Sequence, residues 1–424
     1  MRYDVTEFSV IGDGKTNNTK AIEVLIQRVR ENSGGTLYFP CGKYVTGSVR
    51  LFSNMGIYLD AGAVILGSTD YADYPKITQE VAPGYTRDTY RALITAFSAE
   101  NIFIEGNGKI DGRGSAWWHK THDTARPRAI QPILCKNVRI SEITVENSPC
   151  WTVHPMCCEN VTIDGITIKN PYDSPNTDGI NPESSRNVRI SNCCVDVGDD
   201  CITIKSGTED DDLQKKFPCE NITVTNCTMI HGHGGVVIGS EMSGGIKNVV
   251  ISNCVFQNTD RGIRVKTRRK RGGYMKDIIV SNIIMENILA GITVNEYYSC
   301  GADPNDTFLF SDEKMPPTAD TPEISGISLS NITGRNIKGV GMYMYGLPEK
   351  PISNVRMSNI DFEVTGSNEG INAVSSIGRK KSFGEGIFLE NARDIIMTNM
   401  HIQCSKKKYE LKHCERVQIN GEML

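Results

Sequence analysis

Nowhere does the chain carry an apolar run approaching the ~18 residues that a membrane-spanning helix needs, so a membrane is not an expected partner. A surplus of either charge is missing too, since 46 Lys and Arg stand against 50 Asp and Glu for a net charge of −4. Without a basic surplus, nucleic acid is not an expected partner either. The 14 cysteines include no C-x-x-C pair spaced to hold zinc tetrahedrally. Several sit inside strand-like runs, and most are read as buried reduced thiols. The first residues, MRYDVTEFSVIGDGK, are polar and acidic where a secretory leader would be apolar. The expected location is therefore the cytoplasm.

Amphipathic helices are almost absent beyond residue 35, which excludes a helical solenoid. One helical pattern precedes that point: Asn17 or Asn18 offers an N-cap before TKAIEVLIQRVREN, with Ile22, Leu25, Ile26 and Val29 on one face and Gly34-Gly35 at the end. No linker or low-complexity stretch divides the chain. One domain over 1–424 is expected, with 1–35 as N-terminal turn and capping helix.

What the chain does have is a repeat. A hexapeptide [N/D]-[V/I]-x-[I/V/M]-x-[N/G/E] begins at Asn101, Asn137, Asn160, Asn187, Asn221, Asn248, Asp277, Asn354 and Asp394, with GISLSN from Gly326 as a variant. β-Branched residues alternate with polar ones, as in a short half-buried strand, and the leading Asn or Asp suits a tight turn. Spacings of 23 to 49 residues fit coils of about three short strands. The reading is all-β, a parallel β-helix whose longer spacings are loops. Kelch or Trp-Asp propeller signatures are missing.

Four small clusters follow successive hexapeptides: Asn176-Thr177-Asp178, Gly198-Asp199-Asp200, Gly232-His233-Gly234 and Arg264-Val265-Lys266. Counted from the local repeat, Asp178 lies 18 residues on, Asp200 13, His233 12 and Arg264 16. Similar offsets in consecutive coils stack these groups on one face. A lone Asp is usually a turn former, and the run Arg268-Arg269-Lys270-Arg271 beside Lys266 reads equally as a solvated face. Order and register together say more. Three crowded carboxylates repel, so one, expected to be Asp200, should hold a proton near neutral pH. Glycoside hydrolysis asks for that division, one carboxyl giving a proton and another activating water. Gly198 would allow a bend that brings both Asp199 and Asp200 to the cleft. Arg264 and Lys266 alternate onto one strand face and offer paired cations to an acidic substrate.

With these four clusters in this order, the chain resembles the polygalacturonases of glycoside hydrolase family 28, and FSVIGDGKTNNTKAI resembles that family's opening turn and capping helix. The resemblance implies a single-stranded right-handed parallel β-helix that cleaves α-1,4-linked galacturonic acid from pectic oligo- or polygalacturonate with inversion, without metal or cofactor. Carried over, Asp200 is the general acid, Asp178 and Asp199 activate water, and His233 tunes their protonation. Asn176, Arg264, Lys266 and Tyr298 bind substrate, Tyr298 being matched through NEYY, where Tyr297 adjoins it. HGHGGVVIGSEMSGG and RVKTRRKRGG resemble bacterial exo-acting members. Loops between Asn187 and Asn221 and between Asp277 and Gly326 would wall off a groove, and Arg268 to Arg271 would meet further carboxylates. The rivals are a rhamnogalacturonan or other galacturonate-containing backbone hydrolase, and a non-catalytic polysaccharide-binding β-helix. A pectate lyase would need calcium-binding carboxylates.

Overall fold

The computed structural model describes residues 1–77, 89–119 and 125–424. Two compact units emerge from the contacts, Met1–Asp199 with Asp211–Phe217, and Asp200–Asp210 with Pro218–Leu424. Among the described residues, no helix is long and apolar enough to cross a membrane.

In the first unit the hexapeptides become strands Glu100–Gly106, Lys136–Ser141, Glu159–Asp164 and Arg186–Ser191, paired in parallel and in register. Ile104, Ile140, Ile163 and Ile190 stack along the buried side, one per coil, while the alternate positions face water. Each repeat starts at a corner where Asn101, Asn137, Asn160 and Asn187 adopt φ of 56–60°. Asn accepts this left-handed conformation better than other side chains, because its short amide can bond locally. The amides also bond one another between coils at 2.7–3.2 Å, from Asn54 through Asn187. The helix Thr19–Glu31 buries Ile22, Leu25, Ile26 and Val29 against strands Gly42–Thr46 and Val49–Leu51. Its N-cap position is Asn18, whose side chain makes no cap bond, while Asn17 Oδ1, one residue earlier, accepts the Thr19 N–H at 3.0 Å. Asn18 is instead buried and bonded to Ile11 and Val45.

The second unit continues the pattern in strands up to 15 residues long. Ile251, Val280, Leu329, Met357 and Met397 form its inner ladder. A second parallel sheet comprises Ile202–Ile204, Val236–Gly239, Arg261–Lys266, Ala290–Asn295, Val340–Tyr345, Glu385–Glu390 and Tyr409–Lys412. Pairing aligns Val237, Arg264, Thr293, Tyr343 and Phe388 along one row.

Every cysteine is a free thiol. Burial accounts for fewer of them than expected: seven are buried, whereas Cys41 and Cys300 are exposed. Cys41 lies at a bend and Cys300 in a turn, both outside the ladders.

Candidate active site

In the first unit, Asn176-Thr177-Asp178 follows a turn closed by hydroxyls: Ser174 and Thr177 share a 2.5 Å hydrogen bond, and the Ser174 hydroxyl donates to the Pro171 carbonyl at 2.6 Å. Asn170 donates to the Thr177 carbonyl and to Thr152 Oγ1, tying the turn to the preceding coil. Asp178 is buried, and its Oδ2 accepts from Asn181 Nδ2 at 3.1 Å. Asn176 is exposed at φ 55° and accepts from Arg126 Nη2 at 2.7 Å. Asp199 ends the first segment of the unit, half-buried. Gly198 and Asp199 lie at a bend, as expected, and Gly198 is also closely packed, since a Cβ there would sit 2.5 Å from the Ser174 carbonyl and 2.6 Å from that of Pro171.

Asp200, His233, Arg264, Lys266 and Tyr298 belong to the second unit. Strand alternation puts Arg264 and Lys266 on one side, where both reach Asp200. Lys266 Nζ donates to Oδ2 at 2.6 Å and Arg264 Nη1 to Oδ1 at 3.1 Å, with all three side chains buried. Gly234 is pressed against the pair: a Cβ would lie 3.5 Å from both Asp200 Oδ1 and Arg264 Cδ, and 2.5 Å from Val237 Cγ2. Its neighbour His233 is exposed. The Tyr298 ring faces the cations, 4.9 Å from Lys266 Nζ and 5.4 Å from the Arg264 guanidinium. Tyr297 is turned away into a cluster with Arg379 and Tyr345.

The charge state of Asp200 differs from the expectation of a raised carboxyl. Burial pushes it up, but Lys266, Arg264 and Lys205 together hold it well below the usual carboxylate range. For this residue the attraction of the three cations outweighs the effects that would raise it. Burial pushes the Tyr298 phenol up, keeping it a neutral donor.

The run after Lys266 also differs from the expectation of ligand-binding cations. Arg269 is 1% exposed and grips Glu349 through Nε and Nη2 at 2.6 and 2.9 Å. Arg268 and Arg271 share Glu209, and Lys270 pairs with Asp306. They are framework cations, because loop carboxylates distant in sequence already fill them.

Arg126 carries no repeat or motif and escapes a sequence reading; it contacts Asn176 only because the chain folds back over 50 residues. His154 is likewise unsignalled, fully buried between Gln131 Nε2 at 2.9 Å and Glu183 Oε2 at 2.7 Å.

Parallel coils that carry a buried carboxylate held by two cations define a β-solenoid with a site suited to an acidic ligand. The chain belongs to the family described as glycosyl hydrolases family 28, whose model matches residues 76–382, and is thus a glycoside hydrolase. A Vitis vinifera protein named "Probable polygalacturonase" is 35% identical over 369 residues, 84% of this chain and 73% of that one. The structure of a hyperthermoactive exopolygalacturonase from Thermotoga maritima matches at 26% identity and TM-score 0.75, covering 100% of this chain and 93% of that one. A family 28 exopolygalacturonase of Yersinia enterocolitica reaches TM-score 0.85 at 22% identity, over 100% of this chain and 79% of that one, a likeness of fold. The architecture is a right-handed parallel β-helix with a short N-terminal capping helix.

Proposed function

We propose that this enzyme hydrolyses α-1,4 bonds of oligo- or polygalacturonate, releasing units from a chain end with inversion of the anomeric centre. The observation that carries the substrate assignment is the buried pair Arg264 and Lys266, both aimed at one carboxylate beside the Tyr298 ring. Neutral polysaccharides offer nothing to two buried cations. A galacturonate carboxylate does, through charge-assisted hydrogen bonds.

In the proposed reaction, Asp178 and Asp199 hold a water and take its proton as it attacks the anomeric carbon. Asp200 gives a proton to the leaving oxygen, and His233 adjusts the protonation of the group. Ion pairing of Asp200 supplies a reason for substrate dependence. When a substrate carboxylate joins Arg264 and Lys266, two negative groups share the cations that one held alone, and Asp200 is released toward its protonated form. The acid is thus loaded when an acidic sugar is present.

End-wise action draws support from the likeness to the Thermotoga maritima exopolygalacturonase. Placement in the cytoplasm belongs to the same proposal, supported by 14 free thiols of the kind a reducing compartment preserves; cell fractionation checks it. The deciding experiment is a time course on a hexagalacturonate of defined length. One short product at all times, with the remainder shortened stepwise, is expected; early mid-length products would overturn end-wise action.

A further inference from the structure

Arg264 and Lys266 in the second unit are compensated by Asp200, whereas two guanidiniums of the first unit are not compensated by any carboxylate among the described residues. Arg126 Nη1 donates to the carbonyls of Pro149 at 3.0 Å and Pro175 at 2.8 Å, and Nη2 donates to Asn176 Oδ1. All three acceptors are neutral, and Nε–H with one Nη2 hydrogen remains. Arg128 is 8% exposed, donates to Thr89 Oγ1 at 3.2 Å and leaves its buried Nε without a partner. Its guanidinium lies 5.0 Å from the Trp151 ring, which is half-buried and edge-on to His154 at 4.8 Å. Trp151 is one residue from Thr152, whose N–H donates to the Asp178 carbonyl at 2.8 Å. This cluster therefore sits one coil from Asp178.

Removing a guanidinium from water without a counter-ion is costly, and a site that tolerates the cost is suited to an anionic ligand. Arginine's planar fork matches a carboxylate, and an indole face suits the C–H side of a sugar ring. We propose that Arg126, beside Asn176 and the Trp151–Arg128 stack, forms a second uronate subsite in the first unit. It recognises the carboxylate of a sugar other than the one held by Arg264 and Lys266. The inference rests on the galacturonan reading above and adds a specificity determinant to it.

Trigalacturonates bearing one methyl ester, at each of the three positions in turn, test the subsite. Their inhibition constants are measured against hydrolysis of the free-acid trimer, for the wild type and Arg126→Gln. For one ester position the wild type should lose at least tenfold in affinity and Arg126→Gln less than threefold, since the ester has no charge left to lose against a neutral amide. Each penalty is a ratio within one protein, so a partly inactive preparation does not distort it, and Arg126→Lys, which keeps the charge, should retain more of the penalty than Arg126→Gln. Equal penalties in wild type and Arg126→Gln at all three positions would overturn the subsite alone. Failure of the wild type to hydrolyse the free-acid trimer would overturn the galacturonan reading and the subsite with it.

Discussion

Replacing Lys266 by Met keeps most of the length of the side chain and deletes one of two cations that bond Asp200. The lost contact is a 2.6 Å charge-assisted hydrogen bond between side chains only 2% and 6% exposed. Such a bond contributes about 1.5–3 kcal/mol. Breaking a buried pair outright costs about 3–5 kcal/mol when it strands a charge, but Arg264 at 3.1 Å stays on Asp200, so the lower range applies. On free-acid oligogalacturonate, a loss of about 1.4 kcal/mol in transition-state binding is tenfold in kcat/KM; Lys266→Met should lose tenfold or more. On the fully methyl-esterified oligomer, which cannot form the ion pair, the loss should be smaller. A second readout follows from the depressed carboxyl. A carboxyl lowered by folding stabilises the native state above its ordinary value of 3.8, and that contribution disappears as pH falls. The stability deficit of Lys266→Met should thus be largest above about pH 5 and shrink below about pH 4. Product chromatography with both substrates, and thermal unfolding across pH, measure the two effects. A wild type that hydrolyses ester and free acid with equal kcat/KM would refute the cation argument, and so would a deficit that grows as pH falls.

Asp200→Asn should keep its secondary structure by circular dichroism, unfold at a lower temperature because Arg264 and Lys266 lose their counter-ion, and lose a factor of about 10² to 10⁴ in kcat, the usual contribution of a positioned acid; retention of a tenth of wild-type turnover would remove Asp200 from that role. Proton NMR of the first product should show the β-anomer, the outcome of direct attack by water on the anomeric carbon, whereas an initial α-anomer would mean retention. Glu296 is fully buried, and burial pushes its carboxyl up to about 8, partly offset by the Leu347 N–H. A raised carboxyl is stabilising in its protonated form, so wild-type stability should decline as pH rises from about 4.5 through about 8. Glu296→Gln should flatten that decline; an unchanged slope in thermal midpoints would rule it out.

Much of the fold was legible because each strand announces itself locally. Asn137-Val138-Arg139-Ile140 carries both its alternation and its corner residue within four positions, and Asn137 adopts φ 56°. The order of Asp178, Asp200, His233 and Arg264 was legible for the same reason, since each cluster sits a short distance after a repeat. What depends on remote partners was not. Nothing near Asp200 foretells that residues 64 and 66 positions later would neutralise it. The cations at 268–271 look available until Glu209 and Glu349 arrive from loops. Arg126 illustrates the limit most plainly, because it becomes meaningful only against Asn176.

The asparagine corners bear on how such a chain can change length. Each corner fixes where a coil begins, and the amide bonds from Asn101 to Asn137, Asn160 and Asn187 keep that point aligned whether 36, 23 or 27 residues intervene. Extra residues are therefore absorbed in the loops, away from the corner and the strand that follows. A deletion of one residue between Asn160 and Ile163 would turn every later side chain of that strand to the wrong side. An insertion of several residues in a loop would leave the ladder of isoleucines untouched. Groove shape and core packing can then vary independently, so a new substrate length is reached by insertion without repacking the interior.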